Sequence, residues 1–184
     1  MAPAIDDDAV ALLRRRKTLR VMRFEADLPQ RIVEASNLRS ALGGTLSQTA
    51  STDAAPEELR VVTKRSPSDA QWEDLLFAWD VVRHVKSNGI VIASDGVTSG
   101  ICAGQTNRVG AVRIAGDRAG NRARGAACAS DGFFPFRDGI EAAALAGCAS
   151  VIAPGGSIRD AEVIAAADDA GLALVFSSRR YFLH

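Results

Sequence analysis

Apolar positions recur along residues 60–184 at two spacings, and they alternate between helix-type and strand-type segments. Trp72, Leu75, Leu76, Trp79, Val82 and Val85 fall three or four residues apart behind Ser68-Asp69, a pattern that predicts a capped helix in the region closed by Gly89. Short apolar runs at 59–63, 90–93, 125–129, 150–153 and 172–176 predict buried strands. Asp95-Gly96 is a hairpin signal leading into a strand at 98–103. Between these runs lie helix patterns at 108–119, at 138–146 with Gly147 behind it, and from Ser157-x-x-Asp160 through Asp169 with Gly171 behind it. Strands and helices joined by short connections predict an α/β fold in which helices cover a mainly parallel sheet, with one antiparallel pair at the Asp95-Gly96 hairpin.

Residues 1–59 differ in texture. They are polar and irregular, with one helix pattern at 7–16 (Ala9, Leu12 and Leu13 on one side), a short strand pattern at 20–24 and a loop-like stretch at 49–56. So few large apolar residues predict a region that packs on the 60–184 domain or on a partner.

Composition narrows the function classes. The chain has 184 residues, 22 basic and 22 acidic, and a formal net charge of zero, which argues against a general nucleic-acid binder. Hydrophobic residues at 47% and charged residues at 24% are ordinary for a folded domain. No apolar run approaches the roughly 18 residues of a membrane span, and the acidic start shows no signal-peptide core. Cys102, Cys128 and Cys148 are widely spaced within apolar stretches, so buried small hydrophobes are expected rather than disulfides or zinc ligands. A soluble, cytoplasmic protein follows from these features. All basic residues except Lys17, Lys64 and Lys86 are arginines, which suits carboxylate or phosphate recognition but equally fits codon bias.

In such sheets ligands gather beyond the carboxyl ends of the strands. Pro154-Gly155-Gly156-Ser157 joins a strand to a helix start, where free N–H groups favour an anion, although a plain tight turn gives the same pattern. Ser130-Asp131-Gly132-Phe133-Phe134-Pro135-Phe136-Arg137-Asp138 supplies an aromatic wall for a planar heterocycle, a hydrophobic plug over the sheet end, or an oligomer contact. Asn88 either stops a helix or presents its amide to a polar substrate. The tail 177–184 keeps Tyr181 and Phe182 to its end, which predicts a docked tail carrying Arg180 for an anion and His184 beside the α-carboxylate. Two histidines assemble no Ser-His-Asp or Cys-His set, and no zinc-deaminase signature occurs.

Taken in order, several stretches resemble one family: Val61-Val62-Thr63-Lys64-Arg65, His84-Val85-Lys86-Ser87-Asn88, Gly104-Gln105 with Arg108-Val109, Ser130-Asp131 with Phe133-Phe134-Pro135-Phe136, and Pro154-Gly155-Gly156-Ser157-Ile158-Arg159-Asp160. The family is the AICAR transformylase domain of the bifunctional purine biosynthesis enzyme, which also carries IMP cyclohydrolase. The resemblance runs from about Arg14 to His184 and covers the second half of that domain. It implies a three-layer α/β/α, cytidine-deaminase-like unit without zinc, and formyl transfer from 10-formyltetrahydrofolate to AICAR in a homodimer. It further implies that Asn88 contacts the carboxamide or the formyl group, that Phe133 walls the pocket near Asp138, that Arg180 binds the phosphate, and that Ser87 and Asp131 lie near a potassium ion.

The chain departs from the family pattern at Gly89 and Gly132, where alanine is usual, at Tyr181 in place of histidine, and at Leu183 in place of arginine. The family's Lys-His-x-Asn-Pro-Cys-Gly stretch does not occur in these 184 residues. A second expectation therefore stands beside the enzyme: a non-catalytic paralogue, or a split subunit whose partner supplies the other half-domain.

Overall fold

The structure is a computed structural model that describes residues 2–28, 37–48 and 57–183. It divides into two compact units, Met1–Ala55 and Pro56–His184.

In the first unit, helix α1 spans Asp7–Leu13, with Asp7 and Asp8 in its first turn, where carboxylates favour the helix dipole. It stops at Leu13, short of the expected Arg16. The strand expected at 20–24 does not form; Arg23 makes only an isolated bridge to Ala2. Instead an antiparallel hairpin, β1 (Asn37–Ala41) and β2 (Gly44–Gln48), turns at Gly43, whose φ of +77° suits glycine. The polarity of these strands hid them from a reading based on buried runs. None of this unit's described residues is buried. The loop pattern at 49–56 and His184 lie outside the described residues.

The second unit is a six-stranded sheet with helices on both faces. Its strands are β3 (Leu59–Val61), β4 (Ile90–Ser94), β5 (Val97–Cys102), β6 (Ala127–Ser130), β7 (Ser150–Pro154) and β8 (Ala173–Ser177), in the order β3-β8-β7-β6-β4-β5. Only β6–β7 and β7–β8 pair in parallel. The pairs β3–β8, β4–β5 and β4–β6 are antiparallel. The sheet is mixed, as expected, but its antiparallel pairs outnumber the parallel ones three to two. The hairpin at Asp95-Gly96 reverses the chain as expected, but β4 also runs against β6, because it enters the sheet centre from the opposite end.

Helix α2 (Asp69–Val82) begins with a reciprocal cap. Ser68 Oγ accepts from the Gln71 N–H at 3.3 Å, and the Gln71 side-chain oxygen accepts from the Ser68 N–H at 3.1 Å. Leu75, Ala78, Trp79 and Val82 bury one side of α2 against Val91, Ala93, Ala127, Ala129, Ile152 and Val175. The alternate strand residues Ile90, Ile92, Cys128, Val151 and Leu174 face the other way, onto α3 (Arg108–Ala119), α4 (Asp138–Ala146) and α5 (Asp160–Asp169). This alternation makes three layers. Gly100 lets α3 approach β5, since a Cβ there would lie 2.1 Å from the Ala115 carbonyl oxygen. The cysteines are free and buried, and a hydrogen bond with Cys148, together with burial, pushes the Cys128 thiol well above its ordinary value.

The mixed topology determines which loops meet. Ile90, the first residue of β4, pairs with Ser130, the last of β6, and with Cys102, the last of β5. Pro154 and Ser177 pair at the ends of β7 and β8. One edge of the sheet therefore gathers the segments before β4 and after β5, β6, β7 and β8.

Candidate functional site

Asp131 follows β6 directly and is completely buried. Its carboxylate accepts from Arg108 Nη1 at 2.5 Å and from the Ser87 hydroxyl. Arg108 opens α3 and is 8% exposed. Its Nη1 also donates to Ser130 Oγ at 2.8 Å, and its Nη2 donates to Asn88 Oδ1 at 2.6 Å. Asn88 Nδ2 donates to the Gln105 carbonyl at 2.9 Å, and Ser130 Oγ donates to the Gly132 carbonyl at 2.8 Å. Each amide atom of Asn88 is thereby engaged, so a side chain that rotates freely in water is held in one orientation. The Ser87–Asn88 peptide is cis.

Above this network lies a cavity of about 330 Å³ lined by Asn88, Thr106, Asn107, Arg108, Phe133, Pro135 and Phe182. Its size and its mixture of rings with a few fixed polar groups are those of a small-molecule site. Arg108 contributes five N–H donors, of which three are engaged as described, so the fork retains donors beside the cavity. Gly132 leaves room here, because a Cβ would fall 2.5 Å from Arg108 Nη2 and 2.7 Å from Phe182 Cε1, and those side-chain ends would have to shift to admit one.

The tail after β8 docks on the same edge. The Tyr181 N–H donates to the Asp131 carbonyl at 2.9 Å, and the Ser87 N–H donates to the Leu183 carbonyl at 3.0 Å. The Tyr181 ring lies 5.0 Å from that of Trp79 at 55°. Burial pushes the Tyr181 phenol up from its ordinary value. Exposed Arg180 stacks its guanidinium 4.8 Å from the centre of the Phe133 ring. It also reaches Gly156, where a Cβ would lie 3.3 Å from its Nη2.

The sequence candidates separate into groups. Asn88 and Phe133 share the cavity, and Arg180 borders it through Phe133. Asp138 is half-buried in the first turn of α4 and is not among the residues that line this cavity.

The 154–157 loop does not meet an anion with free N–H groups. Gly156 and Ser157 N–H donate to the Asp160 carboxylate at 2.8 and 3.0 Å, and Gly155 N–H donates to the Ser177 carbonyl at 3.2 Å. Ser157 Oγ accepts from the Arg159 N–H at 3.2 Å, so it caps a turn ahead of α5 rather than the helix itself. Gly155 and Gly156 line a separate cavity of about 270 Å³ with Glu58, Arg60, Asp160, Phe176, Ser177 and Ser178.

Ser87 and Asp131, the pair the resemblance places near a potassium ion, are in contact, and the Arg108 guanidinium lies 2.5 Å from the same carboxylate. Among the described residues no three His, Cys, Asp or Glu side chains converge on a metal position. Exposed His84 accepts from Arg83 Nε at 3.2 Å and is not among the cavity's lining residues.

Sequence reasoning gave no role to Arg108 or Glu57. A buried arginine is uncommon unless paired, and Arg108 directly follows Asn107, whose Oδ1 accepts from the Gly110 N–H at 2.7 Å as the α3 cap. That cap places residue 108 in the first helical turn at the sheet edge, a signal the sequence did carry.

The model of the AICARFT/IMPCHase bienzyme family matches residues 1–118. The chain belongs to that family. Bifunctional purine biosynthesis proteins PurH of Synechococcus elongatus, Anoxybacillus flavithermus and Chloroflexus aurantiacus are 49%, 45% and 51% identical to it over its whole length. The chain spans about 36% of the length of these relatives. A solved structure, Acinetobacter baumannii RibD form 2, matches 56% of this chain and 33% of its own at a TM-score of 0.37 and 18% identity, too faint a likeness to carry an argument. The family match starts at residue 1, ahead of the Arg14 at which the motif resemblance begins.

Proposed function

We propose that this chain acts in purine nucleotide biosynthesis, in formyl transfer from 10-formyltetrahydrofolate to AICAR. The observation that carries this reading is the Asn88–Arg108–Asp131 network under an aromatic cavity, in a chain of the AICARFT/IMPCHase bienzyme family. In the reaction the AICAR amine attacks the formyl carbon, a tetrahedral oxyanion forms, the bond to the folate nitrogen breaks, and the amine proton leaves with tetrahydrofolate. Such a reaction needs orientation and oxyanion stabilisation more than covalent help. Arg108 and Asn88 suit that role, since their N–H donors are fixed before substrate arrives. Phe133 forms a flat wall for a heterocycle, and Arg180, stacked on it, supplies a cation for phosphate.

Asp138 enters the proposal as a neighbour of that wall, at the start of α4. The deaminase-like name for the fold belongs here too, supported by three layers built on a mixed sheet. The cytoplasmic reading belongs to this proposal as well; among the described residues no helix is long and apolar enough to cross a membrane. A homodimer, or a partner supplying the rest of the site, is supported by a first unit none of whose described residues is buried.

The test is calorimetric titration of AICAR into the chain and into Asn88→Ala and Phe133→Ala. Binding weakened roughly tenfold or more in both variants is expected, the scale of one lost hydrogen bond to a charged group or one lost aromatic wall. Unchanged affinity in both moves the substrate elsewhere.

A further inference from the structure

Glu57 is a half-buried carboxylate that lies outside the cavity. It accepts from Trp79 Nε1 through both oxygens, at 2.9 and 3.1 Å, from the Ser177 hydroxyl, and from the Tyr181 phenol at 3.3 Å. Ser177 ends β8, and Tyr181 stands four residues later. One carboxylate thus holds both ends of the turn whose middle is Ser178, Arg179 and Arg180. Within the turn, the Arg179 N–H donates to Ser177 Oγ at 2.9 Å, and Ser178 exchanges hydrogen bonds with the Glu58 backbone at 3.0 and 3.2 Å. Tyr181 N–H is fixed on Asp131, the residue that also holds Arg108. Arg180 has fixed neighbours on both sides in the chain, while its own guanidinium is exposed and rests on Phe133. Among the described residues no ion pair holds that guanidinium.

We infer that Glu57 is a positioning residue for anion binding: by clamping Ser177 and Tyr181 it sets Arg180 on the face of Phe133, where it meets the ligand's phosphate. The chemistry favours a carboxylate. One anion accepts from an indole N–H, a hydroxyl and a phenol at once, whereas an amide offers a single acceptor oxygen and brings N–H donors that oppose them. Without the charge the Ser177–Tyr181 turn loses its common anchor. Arg180 then samples rotamers off the ring, and a phosphate must bear that ordering cost. The inference rests on the proposed phosphate contact of Arg180.

The experiment compares the full chain with Glu57→Gln and Tyr181→Phe. The second variant keeps the ring on Trp79 and removes only the phenol's bond to Glu57, so it remains informative if Glu57→Gln fails to fold. Two readouts are taken: hydrogen exchange at the Arg179 and Tyr181 amides, and calorimetric affinity for AICAR against its unphosphorylated nucleoside. Exchange at both amides is expected to speed up roughly tenfold in Glu57→Gln and less in Tyr181→Phe, the scale of a lost bond to a charged acceptor. AICAR is expected to lose affinity by about the same factor while the nucleoside changes less than about twofold. A merely structural role weakens both ligands alike, and that result, or unchanged exchange in both variants, overturns the inference. If the wild-type chain binds AICAR and the nucleoside equally, the phosphate reading of Arg180 fails instead, and the exchange rates alone decide whether Glu57 holds the turn.

Discussion

Arg108 and Asp131 offer a direct trial of the physical reasoning, because the pair is buried from both sides. Arg108 is 8% exposed, Asp131 is not exposed at all, and their contact is 2.5 Å. Removing one partner leaves the other as a buried charge without its counter-ion, a loss of about 3–5 kcal/mol. Asp131→Asn keeps the shape of the site but strands the Arg108 charge. Arg108→Met keeps the aliphatic stem but strands the carboxylate and removes the donors to Ser130 Oγ and Asn88 Oδ1. Against a domain stability of roughly 5–15 kcal/mol, either change removes about a fifth or more. With a urea slope near 2 kcal/mol per molar, the midpoint falls by about 1.5–2.5 M in each single variant. The double variant leaves no unpaired charge, and its loss is expected to be at least about 2 kcal/mol smaller than the sum of the singles. The assay is urea unfolding of the wild type, both singles and the double, followed by Trp72 and Trp79 fluorescence. Losses that add within about 0.5 kcal/mol would refute the claim that these charges depend on each other.

Arg180→Ala is expected to weaken AICAR roughly 10- to 150-fold and to leave the nucleoside nearly unchanged by calorimetry, the range of one charge-assisted fork to phosphate. Gly132→Ala places a methyl 2.5 Å from Arg108 Nη2 and 2.7 Å from Phe182 Cε1, and because those side-chain ends can shift to admit the alanine usual in the family, a stability loss of no more than about 1 kcal/mol is expected in urea. The Tyr181 phenol is raised by burial, so its protonated form favours the fold. Its contribution is complete below the ordinary phenol value of about 10 and is lost as pH rises through the folded value. The urea midpoint should therefore fall more steeply above about pH 10 in the wild type than in Tyr181→Phe, and equal slopes contradict that reading.

The elements of the second unit were legible because each carries a local signal. Ser68 and Gln71 cap α2, Asp95-Gly96 turns β4 into β5, and α3 and α4 fall on the residues their periodicity predicts. Strand direction was not legible. Ile90 to Ala93 is buried on both faces, so its residues give no sign that β4 runs against β6. The β1–β2 hairpin was missed because none of its strand residues with described side chains is buried, and no core face marks it. Asn88 and Phe133 stood out because an amide at a strand entrance and a ring beyond a strand end are visible in one dimension. Arg108 and Glu57 did not, because their meaning comes from partners 23 and 124 residues away, Asp131 and Tyr181. The 154–157 loop misled for the opposite reason. Its glycines are where an anion site needs them, and only the fold shows that Asp160 already takes the N–H groups.

The most direct measurement is formyl-AICAR production from AICAR and 10-formyltetrahydrofolate by the isolated 184-residue chain, alone and mixed with the remaining length of a family member such as the Synechococcus protein. No described histidine lines the cavity, and loss of an acid–base group typically costs about 10²- to 10⁴-fold in rate. The account predicts that the chain alone is slower than a complete transformylase by at least that factor. It predicts that the mixture recovers turnover and that Asn88→Ala in this chain abolishes the recovery. Turnover by the chain alone near that of a complete enzyme, or a mixture indifferent to Asn88→Ala, would contradict it.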